Sequence, residues 1–298
     1  MTPSMRPRPV ADQTRTKKVI GIIGGSGPEA GADLFHKLLA LHRTKLGKEL
    51  YRSDRDAPDI VLMSVPALGG PRTGIDMIPG HNEGSYDESL HALLDTVQRM
   101  VPLVDVFCLA CNTLHVFEPQ IKDTIRGMGI EDPSTIFVSI IESTISACRA
   151  RLDALQDENA RISILGGPPT MDLDGISSYK HLRDELGTDI IHVPPPLAIG
   201  VLQRIIWQIK EDGKAPTSGE ALEDYMTLLK DISKCKVAIC VLACTELPLI
   251  HEGGILLGGS VGGADDDGKV LVPTKNMEFV DPTEVVANAV LDATHSYP

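Results

Sequence analysis

The chain has 298 residues, 42% of them hydrophobic and 23% charged, enough for two domains with a full core. A formal net charge of −13 and a pI near 5.1 exclude the basic faces through which nucleic-acid binders work. No apolar run approaches the roughly 18 residues of a membrane span, and the six cysteines lack the density of a secreted disulfide scaffold, so a reduced, cytoplasmic protein is expected.

Residues 1–17 have no apolar centre of the secretory kind and read as a basic, disordered extension. Val19-Ile20-Gly21-Ile22-Ile23 has the length and composition of a buried parallel strand. The loop Gly24-Gly25-Ser26-Gly27-Pro28-Glu29-Ala30 follows, and Pro28 and Glu29 suit the first turn of a helix. Asp59 to Val65 predicts a second strand, Tyr86 to Val101 an amphipathic helix, and Val104 to Ala110 the strand that carries Cys111. Strands alternating with helical patterns imply βαβ units and a mostly parallel sheet.

The pattern then restarts. Ile162-Ser163-Ile164-Leu165 predicts a strand, and Gly166-Gly167-Pro168-Pro169-Thr170 repeats the glycine loop at an offset of 142 residues. Ile239-Cys240-Val241-Leu242-Ala243-Cys244 repeats Val106-Phe107-Cys108-Leu109-Ala110-Cys111 at an offset of 133. An internal duplication follows: an α/β fold of two similar domains, each a mostly parallel sheet flanked by helices, related by a pseudo-twofold. The expected boundaries are 18–134 plus 275–298 for the first domain and 135–274 for the second. Within the second, Gly253 to Gly268 holds seven glycines and three consecutive aspartates and reads as a surface insertion. Asp281-Pro282-Thr283-Glu284 starts the last helix, with Pro282 at its first position.

A polar residue just past a buried parallel strand sits at the carboxyl edge of the sheet, where ligands bind in open α/β folds. Cys111 and Cys244 are therefore two thiols in equivalent places on two halves. Asn112, Thr113, Thr245 and Glu246 are short polar groups that can cap the next helix or orient a carboxylate, and a helix start favours a thiolate. Glu246 reads equally as a plain helix-start residue, and His115 equally as a proton relay or a helix-surface residue. Cys108 and Cys240 lie inside their strands and read as core packing, because a redox pair opens a helix and a zinc site needs a second Cys/His pair. The Gly25-Ser26-Gly27 loop matches a dinucleotide fingerprint only in part, since no acidic residue closes a following strand. Backbone N–H groups holding an anion are the better reading.

These stretches resemble the signatures of the cofactor-independent aspartate/glutamate racemase superfamily, most closely its aspartate racemase branch. The resemblance rests on Gly24 to Ala30, Ala110-Cys111-Asn112-Thr113-Leu114-His115 and Ala243-Cys244-Thr245-Glu246-Leu247-Pro248-Leu249, with Asp281 to Glu284 as a closing motif. It implies an active site in the interdomain cleft, with Cys111 and Cys244 as catalytic bases. It also implies substrate contacts from Asn112, Thr113 and Thr245. Ser26 and Gly27, through the anion-holding loop, and Glu246 are expected beside them as substrate-binding residues, although the family usually has methionine where this chain has Ser26. Arg72 matches an arginine that binds a substrate carboxylate, and Lys210 resembles a lysine of similar role, though it also reads as a helix-end surface lysine. An acidic chain would need such local positive groups to hold an anionic substrate. The resemblance further implies a homodimer acting on a small amino acid.

Racemisation takes a proton from one face of Cα and delivers one to the other, which a thiolate and a thiol on opposite walls can do. No motif announces pyridoxal phosphate, so no cofactor and no metal are expected. The expected reaction is interconversion of L- and D-aspartate, with glutamate as the other acidic candidate. Hydantoin racemase, maleate isomerase and arylmalonate decarboxylase chemistry, or plain amino-acid binding, are the alternatives that share these cysteines.

Overall fold

Every residue of the first strand, β1 (Val19–Gly24), is buried, as a strand covered on both faces requires. The computed structural model describes residues 17–69, 83–133, 136–252 and 277–295. After β1 come α1 (Pro28–Leu50), β2 (Asp59–Ser64), α2 (Glu83–Met100), β3 (Val106–Leu109), α3 (Glu118–Gly127), β4 (Phe137–Val138) and α4 (Ile140–Leu155). The second series is β5 (Arg161–Leu165), α5 (Pro168–Met171), α6 (Lys180–Leu186), β6 (Ile191–His192), α7 (Pro196–Asp212), α8 (Glu220–Ser233), β7 (Val237–Leu242), α9 (Leu247–Glu252), β8 (Glu278–Val280) and α10 (Pro282–Thr294).

The strands form two four-stranded sheets, all of whose pairings are parallel, ordered β2-β1-β3-β4 and β6-β5-β7-β8. Both orders run second, first, third, fourth, so the repeat seen in the motifs is a repeat of topology. The two-domain α/β architecture predicted from strand–helix alternation is the one observed. Two outer strands lie across the expected segment limits. β4 follows residue 134 yet closes the first sheet, and β8 lies within 275–298 yet closes the second. The expected insertion 253–268, Arg72 and nearly all of the N-terminal extension lie outside the described residues.

Alternation along the strands sorts the core into layers. Ile20 and Ile22 of β1, Val106 and Cys108 of β3, Ile162 and Ile164 of β5, and Ile239 and Val241 of β7 face one shared cluster. That cluster also takes Leu34 and Leu38 of α1, Ile141 and Ile145 of α4, and Val286 and Val290 of α10, so these helices lie between the two sheets. The opposite face of the first sheet, through Ile23, Phe107 and Leu109, packs on α2 and α3. The opposite face of the second, through Leu165, Cys240 and Leu242, packs on α7, α8 and α9. Truncating any one of these fully buried aliphatic side chains to alanine would cost about 2–5 kcal/mol.

The last helix begins as its sequence predicts. Asp281 caps α10 by accepting from the Thr283 N–H at 2.8 Å, with Pro282 first in the helix. Lys37 of α1 meets Asp33 at 2.5 Å and Asp281 at 2.6 Å. Burial lowers the Lys37 pKa, but these two carboxylates outweigh it and hold the pKa above the usual lysine value. The chain's end is thereby pinned across the central layer. Among the described residues no helix is long and apolar enough to cross a membrane.

Candidate active site

Cys111 stands two residues past the end of β3 and is 7% exposed. Its turn is fixed by neighbours. The His115 Nδ1 lies 2.8 Å from the Cys111 carbonyl oxygen, and the Ile140 N–H approaches Nε2 at 3.3 Å. That pairing defines one tautomer, a neutral ring donating from Nδ1 and accepting at Nε2. Burial pushes the His115 pKa down, against the opposing pull of Glu118, and keeps the ring neutral. His115 is therefore buried and not on the helix surface, and it ties the cysteine turn to the start of α4.

The next two residues reach into the second half. The Tyr179 hydroxyl donates to Asn112 Oδ1 at 2.7 Å, and both residues are buried. With Oδ1 committed, Asn112 Nδ2 is a buried donor with no hydrogen-bond partner among the described residues. Thr113 Oγ1 lies 3.2 Å from Thr170 Oγ1, in the second glycine loop. Asn112 starts a short 3-10 helix, Thr113–Phe117, without capping it through its side chain. The capping role expected of Asn112 gives way to these cross-half bonds.

Cys244 stands two residues past β7, and here the thiol itself is engaged. It donates to Glu246 Oε2 at 2.9 Å, and Thr245 Oγ1 donates to the same oxygen at 3.4 Å. Glu246 is 2% exposed, and its Oε1 meets Lys210 Nζ from α7 at 3.0 Å. Packed protein around the sulfur is the largest influence raising the Cys244 pKa well above the ordinary thiol value. The Glu246 carboxylate adds to it and Lys210 opposes it. Burial lowers the Lys210 pKa, but the charges of Glu246, Cys244 and Cys111 raise it further, so this lysine lies within electrostatic reach of both thiols.

The first glycine loop closes on this cluster. Gly27 has φ +87°, and a Cβ there would lie 2.4 Å from Glu246 Oε1 and 3.6 Å from Lys210 Nζ. Only glycine fits both the backbone and the space. Gly27, Lys210, Cys244, Thr245 and Glu246, drawn from separate parts of the chain, are thus brought together. Ser26 is half-buried beside Gly27 in that loop. Burial drives the Cys108 thiol up to about 12, and Cys240 is likewise fully buried with a raised pKa, as core cysteines should be. Among the described residues no three His, Cys, Asp or Glu side chains assemble a metal site.

Two residues escaped the sequence reading. Tyr179 and Thr170 contact the Cys111 turn from 67 and 57 positions away, and only the fold brings them there. A groove of about 890 Å³ between α3, α4 and α6 is lined by neither cysteine. Its Lys122 is paired with Glu118 and Glu142, and its Arg149 with Glu185, leaving those cations committed.

No protein-family model matches the chain. A broad-specificity amino-acid racemase of Bacillus subtilis (strain 168) is 23% identical over 236 residues, covering 78% of this chain and 88% of that one. The crystal structure of an aspartate racemase homologue from Pyrococcus horikoshii OT3 aligns with a TM-score of 0.61 at 19% identity, over 92% of this chain and 98% of the other. Glutamate racemase from Francisella tularensis subsp. tularensis SCHU S4, in complex with D-glutamate, aligns with a TM-score of 0.56 at 13% identity, over 93% and 80%. The chain has the fold of these aspartate and glutamate racemase structures.

Proposed function

We propose that this chain, which has the fold and the paired-cysteine motifs of the aspartate/glutamate racemase superfamily, is an amino-acid racemase that uses no pyridoxal phosphate. Cys111 and Cys244 are the two bases, one removing the Cα proton as thiolate and the other returning a proton from the opposite face as thiol. The observation that carries this reading is positional. Two cysteines occupy the same place past the third strand of two sheets of identical order, and one lysine lies within electrostatic reach of both.

The surrounding groups suit an amino acid. The unpartnered Asn112 Nδ2 and the Thr113 hydroxyl are donors beside Cys111, aimed at stabilising a carboxylate as negative charge develops at Cα. Lys210 faces Glu246 Oε1 as an ion pair at 3.0 Å without hydrogen-bonding it, and its ammonium carries three donors that can serve a substrate carboxylate. Arg72 is proposed to pair with a side-chain carboxylate, a charge-assisted bond worth about 1.5–3 kcal/mol, which makes aspartate or glutamate the preferred substrate. We further assign the protein as a homodimer, as the family resemblance implies, and place it in the cytoplasm on the composition of its sequence.

The deciding experiment is a screen of amino-acid enantiomers in deuterated water. Deuterium should appear at Cα while optical activity decays, fastest for the acidic amino acids. An enantiomer that binds without exchanging its Cα proton would reduce the protein to an amino-acid-binding member.

A further inference from the structure

The proton on Cys244 has an owner of its own. The thiol donates to Glu246 Oε2 at 2.9 Å, and that carboxylate is 2% exposed, with Thr245 on the same oxygen and Lys210 on the other. Gly27 seals the arrangement, because Oε1 fills the space that any larger residue at 27 would need. The carboxylate is thereby held in a close-fitting space almost out of contact with water.

We infer that Glu246, with Lys210 as its counter-charge, is a positioning residue that holds Cys244 as a protonated thiol, and hence as the proton donor, in the substrate-free protein. A hydrogen bond accepted from the neutral form of an acid disfavours its charged form, and a negative neighbour does the same. For the proton to leave, sulfur must keep the S–H electron pair beside a buried carboxylate. Abstraction at Cα in the resting protein therefore falls to the Cys111 side, while Cys244 breaks its S–H bond only as a C–H bond forms. This inference rests on the two-thiol reading for its place in catalysis, but its electrostatic core does not.

Among the described residues, Glu246 in its own turn and Lys210 on α7 act on Cys244, and Tyr225 on α8 feels its charge; Tyr225 is itself hydrogen-bonded to His251 of α9 at 3.1 Å, and Cys111 of the first half acts on Lys210. Glu246 and Lys210 push the thiol in opposite directions, and this gives the inference a signature. A residue that merely supports the fold would not produce it.

The test is the pH profile of alkylation by iodoacetamide, with the Cys244 peptide quantified by mass spectrometry and the exposed Cys235 as an internal reference. Glu246→Gln keeps the shape and removes the charge. It should lower the pH of half-maximal alkylation by about one unit or more, speeding Cys244 alkylation about tenfold at pH near 7.5. Lys210→Met should shift the profile the other way and slow alkylation, with Cys235 unchanged in both. A Cys244 rate within twofold of the original in Glu246→Gln, or shifts of the same sign in the two variants, would overturn the inference. If Glu246→Gln does not fold, Lys210→Met decides alone: slowing upholds the inference, and no change or acceleration refutes it. Failure of the racemase reading is seen separately, as absence of Cα exchange in the unaltered protein.

Discussion

Cys111 and Cys244 each stand two residues past the third strand of a sheet with the same strand order, yet the two turns are held by different means. Around Cys111 the bonds reach the backbone and the neighbours: His115 to the carbonyl, Tyr179 to Asn112, Thr170 to Thr113. Around Cys244 the bond reaches the sulfur, through Glu246, and a lysine balances that carboxylate. Topology decides where a group stands, since the strand and the register are repeated. Side chains a few residues away decide what that group does with its proton. A repeated topology can therefore carry two chemically unequal thiols, which is what the proposed exchange of protons at Cα requires.

The strongest way to break the comparison is to remove each thiol in turn. Cys111→Ser and Cys244→Ser should each reduce racemisation by at least about a thousandfold, because a hydroxyl cannot serve as the base near neutral pH. With a substrate analogue bearing a leaving group on Cβ, loss of the Cα proton leads to elimination and needs only one base. Each variant should then keep elimination from one enantiomer and lose it from the other, with the preference reversed between them. Substantial racemisation in either variant would sink the two-thiol mechanism.

Acid gives a second probe, because each half buries a histidine. His251 of α9 is buried against Tyr225 and Phe279, and burial depresses its pKa from 6.5 to about 4, against the opposing pull of Asp281. Below pH about 6.5 the unfolded chain takes up a proton that the folded protein refuses, so stability falls as pH falls from there to about 4. The loss approaches about 3 kcal/mol at roughly 1.4 kcal/mol per unit. Denaturant titrations at pH 7, 5.5 and 4.5 would measure it, and His251→Gln should flatten the acid side of the profile. An unchanged slope in that variant would assign the acid loss to other groups, among them His115, whose pKa moves in the same direction.

Much of this arrangement was legible in the residues, and the reason is periodicity. Runs such as Val19 to Ile23 and Ile239 to Leu242 are apolar at every position, which only a strand covered on both faces needs. The Asp281-Pro282 pair announced a capped helix because the capping chemistry is local. The paired Leu-Ala-Cys stretches exposed the duplication, since each strand end repeats the other residue by residue. What escaped were contacts that depend on two distant segments meeting. Lys210 and Glu246 lie 36 positions apart on different elements, and nothing local to either marks an ion pair. His115 read as a relay or a helix-surface residue, and its burial depends on a partner that nothing local announces, the Ile140 backbone on α4. The outer strands β4 and β8, of two and three residues, are too short to carry a pattern.

The Asn112 clamp gives a smaller effect confined to the Cys111 side. Tyr179→Phe strips Asn112 Oδ1 of its donor inside a buried site and frees the amide to turn over. Such an orphaned acceptor costs about 1–3 kcal/mol of stability. Because Asn112 Nδ2 is the proposed substrate donor, KM should also rise, whereas alkylation of Cys244 should keep its pH profile. A Cys244 profile that moved with Tyr179→Phe would show that the two turns are coupled and that the comparison draws its line in the wrong place.

The finest probe is the pair of hydroxyls that joins the first cysteine turn to the second glycine loop. Thr113 Oγ1 and Thr170 Oγ1 are 3.2 Å apart, a neutral hydrogen bond worth about 0.5–1.5 kcal/mol. Valine has the same shape without the hydroxyl, so Thr113→Val and Thr170→Val each remove one partner with little change in packing. If the bond is a clasp between the halves, a double-mutant cycle in stability should show coupling of that size. If Thr113 also contacts substrate, Thr113→Val alone should lower activity, while Thr170→Val should leave the hydroxyl of Thr113 free and activity nearly intact. Equal losses of activity in both single variants, with no further loss in the double, would mean that the clasp itself sets the geometry of the Cys111 turn. Additive stabilities would mean that the two hydroxyls do not bond in solution and that the halves are joined by their shared apolar layer and the Tyr179–Asn112 bond without them.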